Sequence, residues 1–256
     1  MSSLRIEGAC KYFGGLKAVD GINMEIPLGQ ITGLIGPNGA GKSTVVNMIS
    51  GVYALTHGKV TLDGVDISTE SVDAVNRRGI SRTFQNIRLL PEASVLDNVM
   101  IGFYRVDRTS LLSSLIGLPQ AARETRRLRD EAQALLERFG IAKYANIEAG
   151  SLPYGHQRRV EMARAIAAKP RVVMLDEPVA GMNEVESAEM AAIFSDLAAS
   201  GMGLLLIEHN VAFVAKLCHK VYVLDSGRLI AEGDPETVTR DPKVIAAYIG
   251  GQADAA

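Results

Sequence analysis

Residues 36–43 read Gly-Pro-Asn-Gly-Ala-Gly-Lys-Ser and follow directly on the apolar run Ile31-Thr-Gly-Leu-Ile35. An apolar run of this length reads as a buried strand. The segment Ser43–Ser50 after the glycines reads as a helix, which Gly51 stops. The order strand, glycine-rich turn, helix points to an α/β fold that binds its ligand at the ends of its strands. The spacing G-x-x-x-x-G-K-[ST] is that of a phosphate-binding loop. Glycines let the backbone curl until several N–H groups converge on one anion, and the helix start adds the positive end of its dipole. Lys42 supplies a compact cation for β- and γ-phosphates, and the Ser43 hydroxyl is a hard oxygen suited to Mg²⁺. The candidate nucleotide contacts are therefore Gly36, Pro37, Asn38, Gly39, Ala40, Gly41, Lys42, Ser43 and Thr44. At average composition the pattern arises by chance in about one chain in a hundred of this length. Here it has both the strand and the helix that the function requires.

The 256 residues suffice for one large domain or two small ones. With 47% hydrophobic and 22% charged residues the chain has ordinary globular usage, which excludes a mainly disordered chain. A net charge of -2 gives no strong overall field to attract nucleic acid, which leaves only a local basic face for that role. The two cysteines, Cys10 and Cys218, make neither a disulfide framework nor a Cys-built zinc site, and they fit a reducing compartment. The N-terminus has no apolar targeting core, and no run approaches 18 apolar residues. The most apolar loop-like piece, Leu111–Leu118, is too short to span a bilayer. It reads as a buried patch, with contact to a membrane-embedded partner as the other reading.

Strands are expected in LRIEGA, GINMEIP and KVTLDGVDI near the N-terminus, the last turning at Asp63-Gly64. The middle reads as helical. Leu128, Ala132, Leu135, Leu136 and Phe139 recur at helical spacing, and Arg123 to Glu131 form a charged, solvated face. A second helix is expected from about Gly155 to Ala168. Val172–Leu175, Leu204–Ile207 and Val221–Leu224 then read as strands alternating with helices at 184–199 and 210–218, which implies a parallel sheet covered on both faces.

Two of these strands end in polar pairs. Asp176-Glu177 follows Val172–Leu175, where one carboxylate can hold Mg²⁺ and the next can orient or deprotonate a water. Glu208-His209 follows Leu204–Ile207, where a histidine can donate to a phosphate or to the attacking water. The amide of Gln85, at the start of the helical region, can sense both metal and water.

In this order the motifs resemble the nucleotide-binding subunit of an ABC transporter. Leu152-Pro-Tyr-Gly-His-Gln157 stands where that family has L-S-G-G-Q, with Pro153 and Tyr154 replacing the serine and the first glycine. The resemblance runs from about residue 4 to 250. It implies a P-loop NTPase of ABC-ATPase architecture: a mostly parallel sheet core, an N-terminal antiparallel β subdomain and an inserted α-helical subdomain. Residues 1–86 and 165–256 would form the catalytic lobe, and 87–164 the helical signature subdomain. It also implies that ATP and Mg²⁺ are the cofactors, and that ATP is sandwiched in a head-to-tail homodimer or heterodimer. Phe13, with Tyr12 second, would stack on adenine. Ser43, Gln85 and Asp176 would hold the metal, while Glu177, His209, Gln85 and Lys42 would carry catalysis. Leu152, Tyr154, Gly155, His156 and Gln157 would reach the partner's nucleotide. Asn183 replaces the aspartate of the family's S-A-L-D, which weakens charge coupling across the dimer.

The stretches Arg82–Asn86, Leu152–Arg158, Ala180–Asn183 and Ala247–Gly250 resemble the importer branch for branched-chain and other hydrophobic amino acids. Permease subunits, a substrate-binding protein and a peripheral position on the inner membrane face follow from that resemblance, with urea, amides or lipopolysaccharide as alternative cargoes. A GTPase would need an Asn-Lys-x-Asp guanine reader, and no Asn here precedes a Lys. A soluble ABC-type ATPase of DNA repair or translation would carry coiled-coil arms or two cassettes. A binding-only subunit would lack Glu177 or Lys42.

Overall fold

The computed structural model describes residues 2–83, 87–105 and 119–250. Phe84, Gln85, Asn86 and Leu111–Leu118 lie outside the described residues. The chain forms two compact units, one of Met1–Arg82, Arg171–Pro178 and Phe194–Ala256, the other of Thr83–Pro170 and Val179–Ile193.

Among the described residues the first unit holds two sheets. β1 (Ser3–Phe13), β2 (Leu16–Pro27), β4 (His57–Leu62) and β5 (Val65–Asp66) pair antiparallel in the order β2-β1-β4-β5. Alternation sets the faces: Val19, Ile22, Met24 and Ile26 of β2 are buried between more exposed neighbours. Asp63 and Gly64 both take positive φ (51° and 81°), the tight hairpin turn that their sequence indicates.

The second sheet has the order β10-β9-β3-β8-β7-β6. β3 (Ile31–Ile35), β6 (Ile80–Arg82), β7 (Val172–Asp176), β8 (Gly203–Ile207) and β9 (Lys220–Asp225) run parallel. Every residue of β3 and β8 is buried, as covering on both faces demands. β10 (Arg228–Gly233) closes one edge antiparallel, through a turn in which Ser226 and Gly227 both have positive φ. Sequence patterning leaves this strand out, because its residues are only half-buried and a register shift between Leu229 and Ala231 breaks the alternation. Val45, Val46, Met48 and Ile49 of α1 (Lys42–Ile49) join one core with Leu4, Ile6, Val19 and Ile22 of the antiparallel sheet and Leu34, Leu205 and Ile207 of the parallel one. The rest of this unit is α2 (Val72–Arg78), α7 (Val211–Leu217), α8 (Pro235–Thr239) and α9 (Pro242–Gly250).

The second unit is helical: α3 (Val95–Ile101), α4 (Pro119–Arg138) and α5 (Tyr154–Ala167) contact one another. α6 (Glu184–Ala199) starts in this unit and ends in the first. Leu128, Ala132, Leu136 and Phe139 are buried, while Arg123, Arg126, Arg127, Arg129 and Asp130 face solvent. Arg127 pairs with Glu124 and Glu131 one helical turn away on either side.

Asn98 is fully buried in α3 and organises the turn before it. Its Nδ2 donates to Leu90 O and Ser94 O (both 3.0 Å), and its Oδ1 accepts from Leu90 N (2.8 Å). Asn98→Ala strands these groups and should cost about 2–4 kcal/mol. Urea titration followed by circular dichroism checks this; an unchanged midpoint would contradict it.

Candidate functional site

The loop between β3 and α1 is shaped by close backbone approach. Gly36 has φ 150°, and a Cβ there would collide with Leu224 O. Gly41 has φ 104°, and a Cβ there would lie 2.6 Å from Ala18 O. Only glycine fits either place. Ala40 N donates to Pro37 O, and Gly227 N donates to Ala40 O (2.9 Å), which fixes the turn from outside. α1 opens on Gly41 with no side-chain cap and no acidic residue in its first turn. Its leading N–H groups are therefore left for an outside acceptor, at the positive end of the helix. Asn38, Gly39 and Ser43 are exposed, whereas Gly36 and Ala40 are buried.

Lys42 Nζ donates to Gly36 O (2.6 Å) and Pro37 O (2.9 Å), folding back over the loop. Burial pushes its pKa down, and the nearby Glu177 and Asp176 carboxylates push it back up. β3, β8 and β7 are adjacent, and Leu34, Ile207 and Asp176 share one rung of the sheet. The loop, His209 and the carboxylate pair therefore leave the same end of three neighbouring strands. His209 Nδ1 lies 3.7 Å from Glu177 Oε1 and 3.9 Å from Glu208 Oε2; His209 is 62% exposed, whereas Glu208 is 1% exposed. Glu177 has φ 47°, a left-handed conformation that disfavours a side chain, and its N–H donates to Ile207 O (2.9 Å). Gln85 is outside the described residues.

Of the two aromatic candidates, Phe13 is 43% exposed and Tyr12 is half-buried. Phe13 meets Tyr53 edge to face, centroids 5.3 Å apart, with Lys11 Nζ 5.0 Å from its ring centre. Tyr12 is engaged elsewhere: its hydroxyl donates to Asp20 Oδ1 (2.6 Å). That bond, with Arg228, holds the Asp20 carboxyl down at about 2.

A family model described as ABC transporter matches residues 19–180, which include the phosphate loop, the signature segment and the Asp176-Glu177 pair. The chain belongs to the ABC transporter ATP-binding family. A second model, described as a branched-chain amino acid ATP-binding cassette transporter, matches residues 228–254. The high-affinity branched-chain amino acid transport ATP-binding proteins BraF of Pseudomonas aeruginosa and LivG of Escherichia coli K12 are each 38% identical over 96% of this chain and 97% of their own. The crystal structure of a nucleotide-free ATP-binding cassette from an ABC transporter superposes with TM-score 0.85 at 34% identity, covering 98% of this chain and all of that one. The chain is accordingly an ATP-binding, ATP-hydrolysing subunit that works with membrane permease subunits. Among its described residues no helix is long and apolar enough to cross a membrane.

The residues that stand where the family has its signature lie in the second unit. α5 starts one residue earlier than its periodicity suggests, at Tyr154, with Pro153 as an N-cap that offers no side-chain bond. Tyr154 is exposed, and its ring lies 3.5 Å from where a Cβ on Gly181 would sit. Leu152 is buried and presents only its backbone, whose carbonyl accepts from Gln157 Nε2 (2.8 Å). His156 stands edge-on to Tyr144, centroids 4.9 Å apart. Asn183 and Glu186 bond reciprocally through backbone N–H groups (3.0 and 2.9 Å), so Asn183 caps α6.

Sequence reasoning missed Tyr53, which long-range pairing brings to Phe13, and Tyr248, whose hydroxyl accepts from Gly36 N. The left-handed backbone at Glu177 gives a test of local strain. Glu177→Gly should be more stable to denaturant than Glu177→Ala by up to about 1 kcal/mol. The reverse order in paired urea titrations would contradict the strain.

Proposed function

We propose that this ATPase powers uptake of branched-chain and other hydrophobic amino acids. What carries the reading is the match of residues 228–254 to the branched-chain model, in a chain whose relatives of that description align end to end. Two permease subunits would span the cell membrane, a substrate-binding protein would deliver cargo, and this chain would sit peripherally on the membrane's inner, cytoplasmic face. The surface from Asn86 to Asp97 would meet the permease. Nucleic acid has no part in this reading.

The ATP triphosphate would rest on the amides of residues 36–44, with Lys42 moving from the carbonyls of Gly36 and Pro37 to the β- and γ-phosphates. Phe13, backed by Tyr53, would stack on adenine; Tyr12 would keep Asp20 in place. Ser43, Asp176 and Gln85 would hold Mg²⁺. Asp176 would supply the one carboxylate and Ser43 and Gln85 neutral oxygens, a donor set that suits Mg²⁺, which is held by one or two carboxylates and completes its shell with phosphate and water. Bound there, the ion neutralises charge on the phosphates.

Glu177 would accept the proton of the attacking water, and His209, beside it, would orient that water and donate to the γ-phosphate. A second ATP-binding subunit, a copy of this chain or a relative, would close head to tail. Its signature segment would present the uncapped start of α5, with Tyr154, Gly155, His156 and Gln157, to this chain's nucleotide. Pro153 has no hydroxyl to offer, so the Gly155 N–H and Tyr154 carry that contact. The helical unit 87–164, joined through Gln85, would pass the closure to the permease.

Lys42→Ala should weaken ATP binding at least about tenfold, because a charge-assisted contact is lost. Native affinity in a filter-binding titration would contradict this. Glu177→Gln should keep ATP affinity and lower steady-state phosphate release by about 10²–10⁴-fold; unchanged release would contradict the assignment. In cells lacking the chain, labelled leucine uptake should disappear and return with the wild type but not with Glu177→Gln. Loss of urea uptake with leucine uptake intact would overturn the cargo.

A further inference from the structure

We infer that the C-terminal segment braces the phosphate loop, and that Tyr248 is the positioning residue through which it does so. This rests on the reading that residues 36–44 hold the nucleotide phosphates. Tyr248, on α9, places its hydroxyl oxygen 2.9 Å from Gly36 N, from which it accepts a hydrogen bond across 212 residues of chain. Gly36 is the buried first residue of the loop, and Leu224 O fills the place of a Cβ. A buried N–H in so tight a place needs an acceptor, and Tyr248 supplies it. Burial holds the phenol above its usual pKa, so the hydroxyl stays neutral at physiological pH.

A second contact acts at the other end of the same loop. Gly227, in the turn between β9 and β10, donates to Ala40 O (2.9 Å), and its own carbonyl accepts from Asp20 N (2.8 Å). The loop is thus gripped at Gly36 by α9 and at Ala40 by the β9–β10 turn. Lys42 bonds to Gly36 O and Pro37 O, so any movement of Gly36 reaches the cation meant for the phosphates. α9 is itself held: Lys243 N donates to Asp241 Oδ1 (2.8 Å), and Val244 is buried. The segment that matches the branched-chain model, residues 228–254, includes β10 and Tyr248. That segment therefore does more than mark a branch: it sets the geometry of the nucleotide loop.

Tyr248→Phe in the full chain removes the acceptor and keeps the ring. Titration with a fluorescent ATP analogue should give a Kd raised about three- to tenfold, the loss of one neutral hydrogen bond. The steady-state ATPase defect should appear in KM more than in kcat. In ¹⁵N-glycine-labelled protein, the Gly36 amide should exchange with solvent at least about tenfold faster while Gly33, within β3, is unchanged. Equal Kd and equal Gly36 exchange, with the wild type binding normally, would overturn the brace. So would faster exchange at Gly33 with a lowered melting midpoint, because the ring's packing would then be the cause. A wild type that fails to bind the analogue would instead overturn the reading of the loop.

Discussion

The carbonyl oxygens of Leu224 and Ala18 stand where Gly36 and Gly41 would carry a Cβ, and the shape of the glycine-rich loop depends on that crowding. It forces a backbone path that other residues resist, and that path turns the start of α1 toward one point. The crowding comes from strands far apart in sequence, β9 and β2. Core packing of Val45, Val46 and Ile49 against both sheets then keeps α1 aimed.

Around the loop, charge and strain are concentrated on Lys42 and Glu177. Lys42 is partly desolvated and turned onto carbonyls, and a phosphate bound there as proposed would exchange those neutral partners for a strong ionic one. Glu177 sits in a left-handed conformation at the end of β7, where its carboxylate lies close to His209. Backbone strain of this kind persists only where the surrounding structure imposes it, here partly through the bond from Glu177 N to Ile207 O. The second helix start, at Tyr154 in the other unit, has the same uncapped character as α1.

Much of this was legible because it is local. The glycine spacing, the Asp63-Gly64 turn and the runs Ile31–Ile35, Val172–Leu175 and Leu204–Ile207 each carry their structure in a few consecutive residues. What escaped depends on distance in the chain. Tyr53, in the bend after α1, meets Phe13 at the end of β1, and Asn98 serves a turn that begins eight residues earlier. β10 lacks a clean alternation because it is half-buried at a sheet edge. Tyr248 carries no local sign of a role, since its partner lies 212 residues away. Leu152 reads as a site residue by motif, but its side chain belongs to the core of its own unit.

The most direct test is a crystal structure of the protein grown with Mg²⁺ and a non-hydrolysable ATP analogue. The β-phosphate should lie within hydrogen-bonding distance of the amides of residues 39–44, with Lys42 Nζ withdrawn from the carbonyls of Gly36 and Pro37 onto the phosphates. An analogue bound elsewhere, with Lys42 still folded on those two carbonyls, would contradict it.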